Sequence, residues 1–342
     1  VGAWLLLPHR RTLPTASGAV VMAIGIFALA ALQRMPFPAR LATQLIALAM
    51  LVVWIYIALH FLACAVRGTV HRHSGDPVRS FAIGTWVAGT AVVAELVLAG
   101  LPQWRAVAVV LALIAVLLWL WYLALVARGL WAIIVGRAKG GANGAILLST
   151  VSTQSIVILG PLLGPRQVPR VAWAVLVILG YLLYVTGLVL IVRHYLRERG
   201  LRLADGWDNT NCIGHGALAI SGLAAVLRAA IPLPWIVLTW LWVAGMFVLI
   251  ESIEIARLVV RIQAYGLRKG VLTYNVSQWA RNFTFGMFYA FTLSLDARDA
   301  GAARWLTGLW ALILHYGQYG VLALLAMEIA LFLAHYAGAR AG

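Results

Sequence analysis

Ten apolar windows, each long enough to cross a bilayer, fill this chain, and their character alternates. Small-residue, hydroxyl-bearing windows take turns with Leu- and Trp-rich ones, five times over. The odd windows run 15–32, 80–100, 146–164, 212–230 and 279–295; the even ones run 41–66, 106–127, 171–195, 235–260 and 304–334. About 20 apolar residues cross a hydrocarbon core of about 30 Å, so each window is a predicted span. The odd windows hold about twice as many Gly, Ser and Thr residues as the longer even ones, and small residues let membrane helices approach closely. The pattern predicts an all-α integral membrane fold, with ten transmembrane helices in five hairpins forming a single domain over residues 1–342. Odd helices are expected to form an inner ring around a pore, and even helices an outer ring against lipid.

Composition excludes a soluble domain, since 63% of residues are hydrophobic and only 11% charged. The net charge of +16 invites a nucleic-acid reading, but its distribution argues for topology instead. With the N-terminus inside, seventeen Arg and Lys fall on that side and eight on the other, with Arg281 at the start of the ninth span. Such a bias places both termini in the cytoplasm. His9, Arg10 and Arg11 before an apolar stretch imitate a signal peptide, a reading disfavoured because the spans need an even total to pair as hairpins. Cys64 and Cys212 support neither a disulfide framework nor a thiolate metal site. No phosphate-cradling loop, zinc-binding HExxH or GxSxG elbow occurs, so no enzyme activity, cofactor or metal is expected. Arg supplies nearly all basic charge, Lys139 and Lys269 being the only lysines, a bias that fits a GC-rich bacterium and hence a bacterial inner membrane.

Five segments, in order and all on odd spans, carry a family resemblance. They are Pro14 to Ile26 with its Val-Met and Gly-Ile pairs, Asp76 to Phe81 followed by Val87-Ala88-Gly89-Thr90, Ser152 to Leu159, Gly216 to Ala224, and Trp279, Phe283, Gly286, Met287 and Tyr289. Together they resemble the tellurite-resistance/dicarboxylate transporters, which span bacterial permeases and plant guard-cell slow anion channels. The resemblance implies a pseudo-fivefold ring around a pore, a homotrimer and small anions as the transported partners. Two places depart from it: Thr284 stands where a proline is usual, and Trp207 to Cys212 maps onto no family pattern.

By the same resemblance Phe283 is the aromatic plug of the pore. Lying about nine residues into a helix that starts near Tyr274, it is roughly 13 Å deep, close to the bilayer middle. A ring in a narrow apolar constriction gates by dewetting; the alternatives are a packing Phe283, or Phe285 as the plug. Ser149, Ser152 and Thr153 share one helical face and are candidate pore lining, or else back-bond to the preceding turn. Gly18, Gly25, Gly89, Thr90, Gly216, Ser221 and Gly286 complete the candidate lining. Arg281 either draws anions to the inner mouth or pairs with a nearby carboxylate.

Glu251 and His215 are candidate proton sites. Glu254 has Arg257 three residues on as an ion-pair partner, while Glu95 and Glu328 are expected at solvated helix ends. The leading functional expectation is an anion channel or permease with a Phe-gated pore. The alternatives are a proton-coupled exporter of C4-dicarboxylate, sulfite or tellurite-type oxyanions, and a membrane haem or redox protein built on His60, His215, His315 and His335.

Overall fold

The computed structural model describes residues 13–138, 141–164, 168–198, 200, 202–298 and 303–341. His9, and the charges Arg10, Arg11, Lys139, Arg166 and Arg199 that enter the topology reading, lie outside the described residues. Within them the chain forms ten α-helices of eleven residues or more. They are α1 (Gly18–Leu29), α2 (Ala39–Val66), α3 (Gly84–Gly100), α4 (Arg105–Ile134), α5 (Leu148–Ile158), α6 (Arg170–Arg197), α7 (Ile213–Arg228), α8 (Leu233–Gly270), α9 (Trp279–Asp296) and α10 (Arg304–Ala341). One-turn helices at His71–Ser74 and Leu203–Gly206 lie in the connections.

Eight helical stretches are long and apolar enough to cross a membrane. The fifth predicted span is not among them because its helix stops at Ile158, short of the predicted 164. Arg281, Asn282 and Asp296 at the ends of α9 lower its hydropathy, so it too falls outside the eight. In α8 the backbone breaks at Gly266.

Burial divides the helices into two sets. The windows around α1, α3 and α7 are 72–89% buried, whereas those of α2, α4, α6, α8 and α10 are 17–33% buried. Every residue of α5 except Ile158 is also buried. The odd helices contact one another in a closed circuit, α1 to α3, α3 to α5, α5 to α7, α7 to α9 and α9 back to α1. Each even helix packs on the odd helix that precedes it in the chain.

Glycines explain how the odd helices come so close. A Cβ on Gly18 would strike the Thr85 backbone, one on Gly25 would strike Val92, and one on Gly89 would strike Val21. Gly216 faces Thr284 and Gly286 faces Ile26 in the same way. These five residues, read from sequence as pore lining, point their missing side chains at neighbouring helices, where bulk would separate the backbones.

Tryptophans tie the outer helices to the inner ones. Trp54 of α2 donates to Thr90 of α3 at 2.9 Å, Trp119 of α4 to Thr153 of α5 at 3.1 Å, and Trp240 of α8 to Thr292 of α9 at 2.9 Å. In each case an outer helix holds the inner helix of the next hairpin. Thr90 and Thr153, also expected in the lining, are turned outward by these bonds.

Asn or Asp side chains start four of the odd helices, each satisfying a backbone N–H that the first turn leaves free. Asp76 accepts from Val78 and Arg79 N–H, Asn143 from Ala145, Asp208 from Thr210 and Asn275 from Ser277. Gln278 completes a capping box with Asn275.

Candidate functional site

One cavity of about 220 Å³ is lined by all five odd helices, through Ile26 and Leu29 of α1, Ala91, Val92 and Glu95 of α3, Ser155 and Ile158 of α5, Ile220, Leu223 and Leu227 of α7, and Met287, Ala290, Leu293 and Ser294 of α9. The α1, α5, α7 and α9 residues come mainly from the C-terminal halves of their helices, as does Glu95. The five helices therefore run in the same direction, and the cavity sits at their C-terminal end.

One turn nearer the N-termini, at three or four residues' spacing, the same faces carry Met22, Ala88, Ser152, Gly216 and Phe283. All five are buried, and Phe283 is 2% exposed. Of these five residues Phe283 is the aromatic one, one turn before Met287 of the cavity. Phe285 lies on a different face. Its ring packs edge-on against Phe247 of α8 at 4.8 Å and faces His215 at 6.1 Å.

The hydroxyls are internally engaged. Ser149 donates to Ile146 O, Ser152 and Thr153 to Ser149 O, and Ser221 to Ala217 O. Ser152 nevertheless shares its helical face with Ser155 of the cavity wall.

Toward the N-terminal end of α9 a charged cluster joins α7, α8 and α9. The Nε2 of His215 lies 3.6 Å from Glu251, and the guanidinium of Arg281 lies 3.9 Å from Glu251 and 2.7 Å from Glu254. Arg257 reaches Glu254 at 3.4 Å and Asn209 at 2.5 Å, while Trp207 donates to Glu254 at 2.9 Å. Arg281 is therefore paired with two carboxylates rather than free to draw anions. Glu251 and His215 are brought together, and His215 is fully buried beside Phe247 and Phe285. The unmapped segment from Trp207 to Cys212 turns out to brace this cluster and to cap α7.

Glu328, expected at a solvated helix end, is 3% exposed and lines a cavity of about 590 Å³ between α8, α9 and α10. The histidines considered for haem occupy separate places. His60 Nε2 accepts from Leu13 N–H at 3.1 Å, His315 packs on Tyr316, and His335 on Tyr274 and Tyr336. Cys64 and Cys212 are both free and buried.

The family model SLAC1, described as voltage-dependent anion channel, matches residues 12–327. The chain belongs to the SLAC1 family. A search among curated proteins finds no match. Members of the SLAC1 family are channels or transporters rather than enzymes, and this SLAC1-family chain is a multi-pass membrane protein that transports anions across the bilayer. The match takes in every odd helix and thus all the residues around the axial cavity.

Proposed function

We propose that small anions pass along the axis of the five odd helices and that Phe283 closes this path. The observation that carries the reading is the shared face of α9, on which Phe283 stands one turn below Met287, with Ala290 and Ser294 following two and three turns on, in a cavity walled by all five odd helices. Below the cavity a phenyl ring among Met22, Ala88 and Ser152 supplies aromatic bulk in that layer. An apolar plug there excludes water and, with it, hydrated ions. Helix N-termini at the opposite mouth contribute positive partial charge toward an approaching anion, least at α3 and α7, where the carboxylates of Asp76 and Asp208 offset it, and this stands in place of the attraction first assigned to Arg281.

In this reading the ten helices are ten spans in five hairpins, with odd helices inside and even helices against lipid. Both termini face the cytoplasm of a bacterial inner membrane, and three copies of the chain assemble, each with its own path. The test is anion flux into proteoliposomes under an imposed potential, comparing wild type with Phe283→Ala for chloride and nitrate. A rise in anion flux of at least about tenfold, with cation leak unchanged, is expected from removing a dewetted plug. A folded variant as tight as wild type refutes the plug.

A second reading, proton-coupled export of oxyanions, draws support from the His215–Glu251 pair. It requires uphill uptake driven by a proton gradient that Glu251→Gln abolishes. Downhill flux alone, indifferent to that substitution, rejects it.

A further inference from the structure

Among the described residues that line the axial cavity, Glu95 is the one ionisable group. Its Oε1 is buried and lacks a hydrogen-bond partner among the described residues. The walls facing it from α1 and α7 are apolar, and those from α5 and α9 add only the hydroxyls of Ser155 and Ser294. The helices α2 and α4, which pack on the other side of α3, contribute nothing to the cavity wall.

The charge that reaches Glu95 is Arg228 at the end of α7. That guanidinium is already committed, donating to Val157 O and Ile158 O at 3.0 Å each and lying 5.2 Å over the Trp173 ring. Five helix C-termini add negative partial charge at the same end. A carboxylate there repels any anion that has cleared Phe283, and the repulsion doubles for a doubly charged ion.

We propose that Glu95 is the charge selector of the axial path: ionised, it holds back anions, doubly charged ones most, and protonated, it lets them through. The proposal rests on the pore reading above. It makes small singly charged anions the substrate class at neutral pH, ahead of sulfate and dicarboxylates, and makes acidification of the cavity side raise flux.

The experiment measures nitrate and sulfate efflux from proteoliposomes in the Phe283→Ala background, with Glu95 intact, Glu95→Gln or Glu95→Asp, at about pH 7.5 and about pH 5.5. With Glu95 intact or replaced by Asp, nitrate outpaces sulfate by about tenfold or more at the higher pH, and the gap narrows at the lower. Glu95→Gln narrows the gap at both pH values and removes the pH dependence. A conducting Glu95→Gln variant that keeps both the ratio and its pH dependence overturns the selector and leaves the pore standing. Absence of flux for either anion in folded Phe283→Ala overturns the pore reading, and the selector with it.

Discussion

The guanidinium of Arg281 lies 2.7 Å from the Glu254 carboxylate, tying the first turn of α9 to α8 two residues before Phe283. Loss of one partner of a buried pair costs about 3–5 kcal/mol. Solvent reaches 32% of the Arg281 side chain, so the expected loss for Arg281→Gln is smaller, about 2 kcal/mol. Thermal unfolding in detergent should show Arg281→Gln less stable than wild type, by no more than this because Arg257 and Trp207 still hold the Glu254 carboxylate. Equal stability of the two would deny the pair its role.

Phe283 and Phe285 separate cleanly. Truncating Phe285 to Ala empties a contact with Phe247 and His215 and leaves the axial path closed, at a stability cost of about 3 kcal/mol. Flux and melting temperature measured on both Ala variants check this: Phe283→Ala gains flux, while Phe285→Ala loses stability without gaining any. Flux through Phe285→Ala equal to that through Phe283→Ala would contradict the assignment.

Glycine positions differ in what surrounds them. A side chain at Gly18 meets the Thr85 backbone, which cannot move aside, whereas nothing lies within 4 Å of a Cβ at Gly245 in α8. Gly18→Val is expected to cost about 3 kcal/mol or to prevent assembly. Gly245→Ala should be neutral or stabilising by up to about 1 kcal/mol through helix propensity. Monodisperse yield and melting temperature of the two variants provide the comparison.

The bond from Trp240 to Thr292 joins α8 to α9 in a fully buried setting. Thr292→Val keeps the shape but orphans the indole N–H, so a loss of about 1–3 kcal/mol is expected. Replacing Trp240 by Phe in that background should recover little, since the larger ring is lost as well. A double-mutant cycle on unfolding free energy measures the coupling, and a value of zero would dismiss the bond as a stabilising contact.

His73 lies outside the spans, buried, with Nδ1 2.9 Å from the Thr15 hydroxyl. Burial holds its pKa below the ordinary value of 6.5, helped by His60 and Arg72. On unfolding the ring takes up protons more readily, so its contribution to stability is intact above pH 6.5 and is lost as pH falls through 6.5 toward the folded value. Melting temperatures should drop on acidification in wild type and drop less in His73→Gln. An identical acid dependence in both would remove His73 as a cause.

The helices and their two classes were legible in the sequence because apolar length and small-residue content are local properties. Which way a residue faces was not. Thr90 and Thr153 looked like lining, yet Trp54 and Trp119 claim them from another hairpin, a pairing that depends on register across the ring. For Arg281 an anion-drawing role and a carboxylate partner both stand open in the sequence, because Glu254 lies 27 positions earlier on a different helix. The fifth window runs past the end of its helix, since Leu159 and Gly160 are apolar enough to continue a window although Arg228 packs over Gly160.

A repeat of polar helix-starting side chains also runs through the sequence. Asp76, Asn143, Asp208 and Asn275, the helix-starting side chains, recur at intervals of 67, 65 and 67 residues. That period marks the hairpin repeat more sharply than hydropathy does, and it also explains the segment around Asp208 that matched no family pattern.

The closing seam of the circuit, where Gly286 of α9 meets Ile26 of α1, has a consequence for biogenesis. The α1–α2 and α9–α10 hairpins, the furthest apart in the order of synthesis among the ten helices, are neighbours in the finished ring. Until α9 has been synthesised and inserted, α1 and α7 each present an unpaired small-residue edge to lipid. Any assembly intermediate that lacks α9 is therefore an open crescent rather than a ring, with its free edges at α1 and α7.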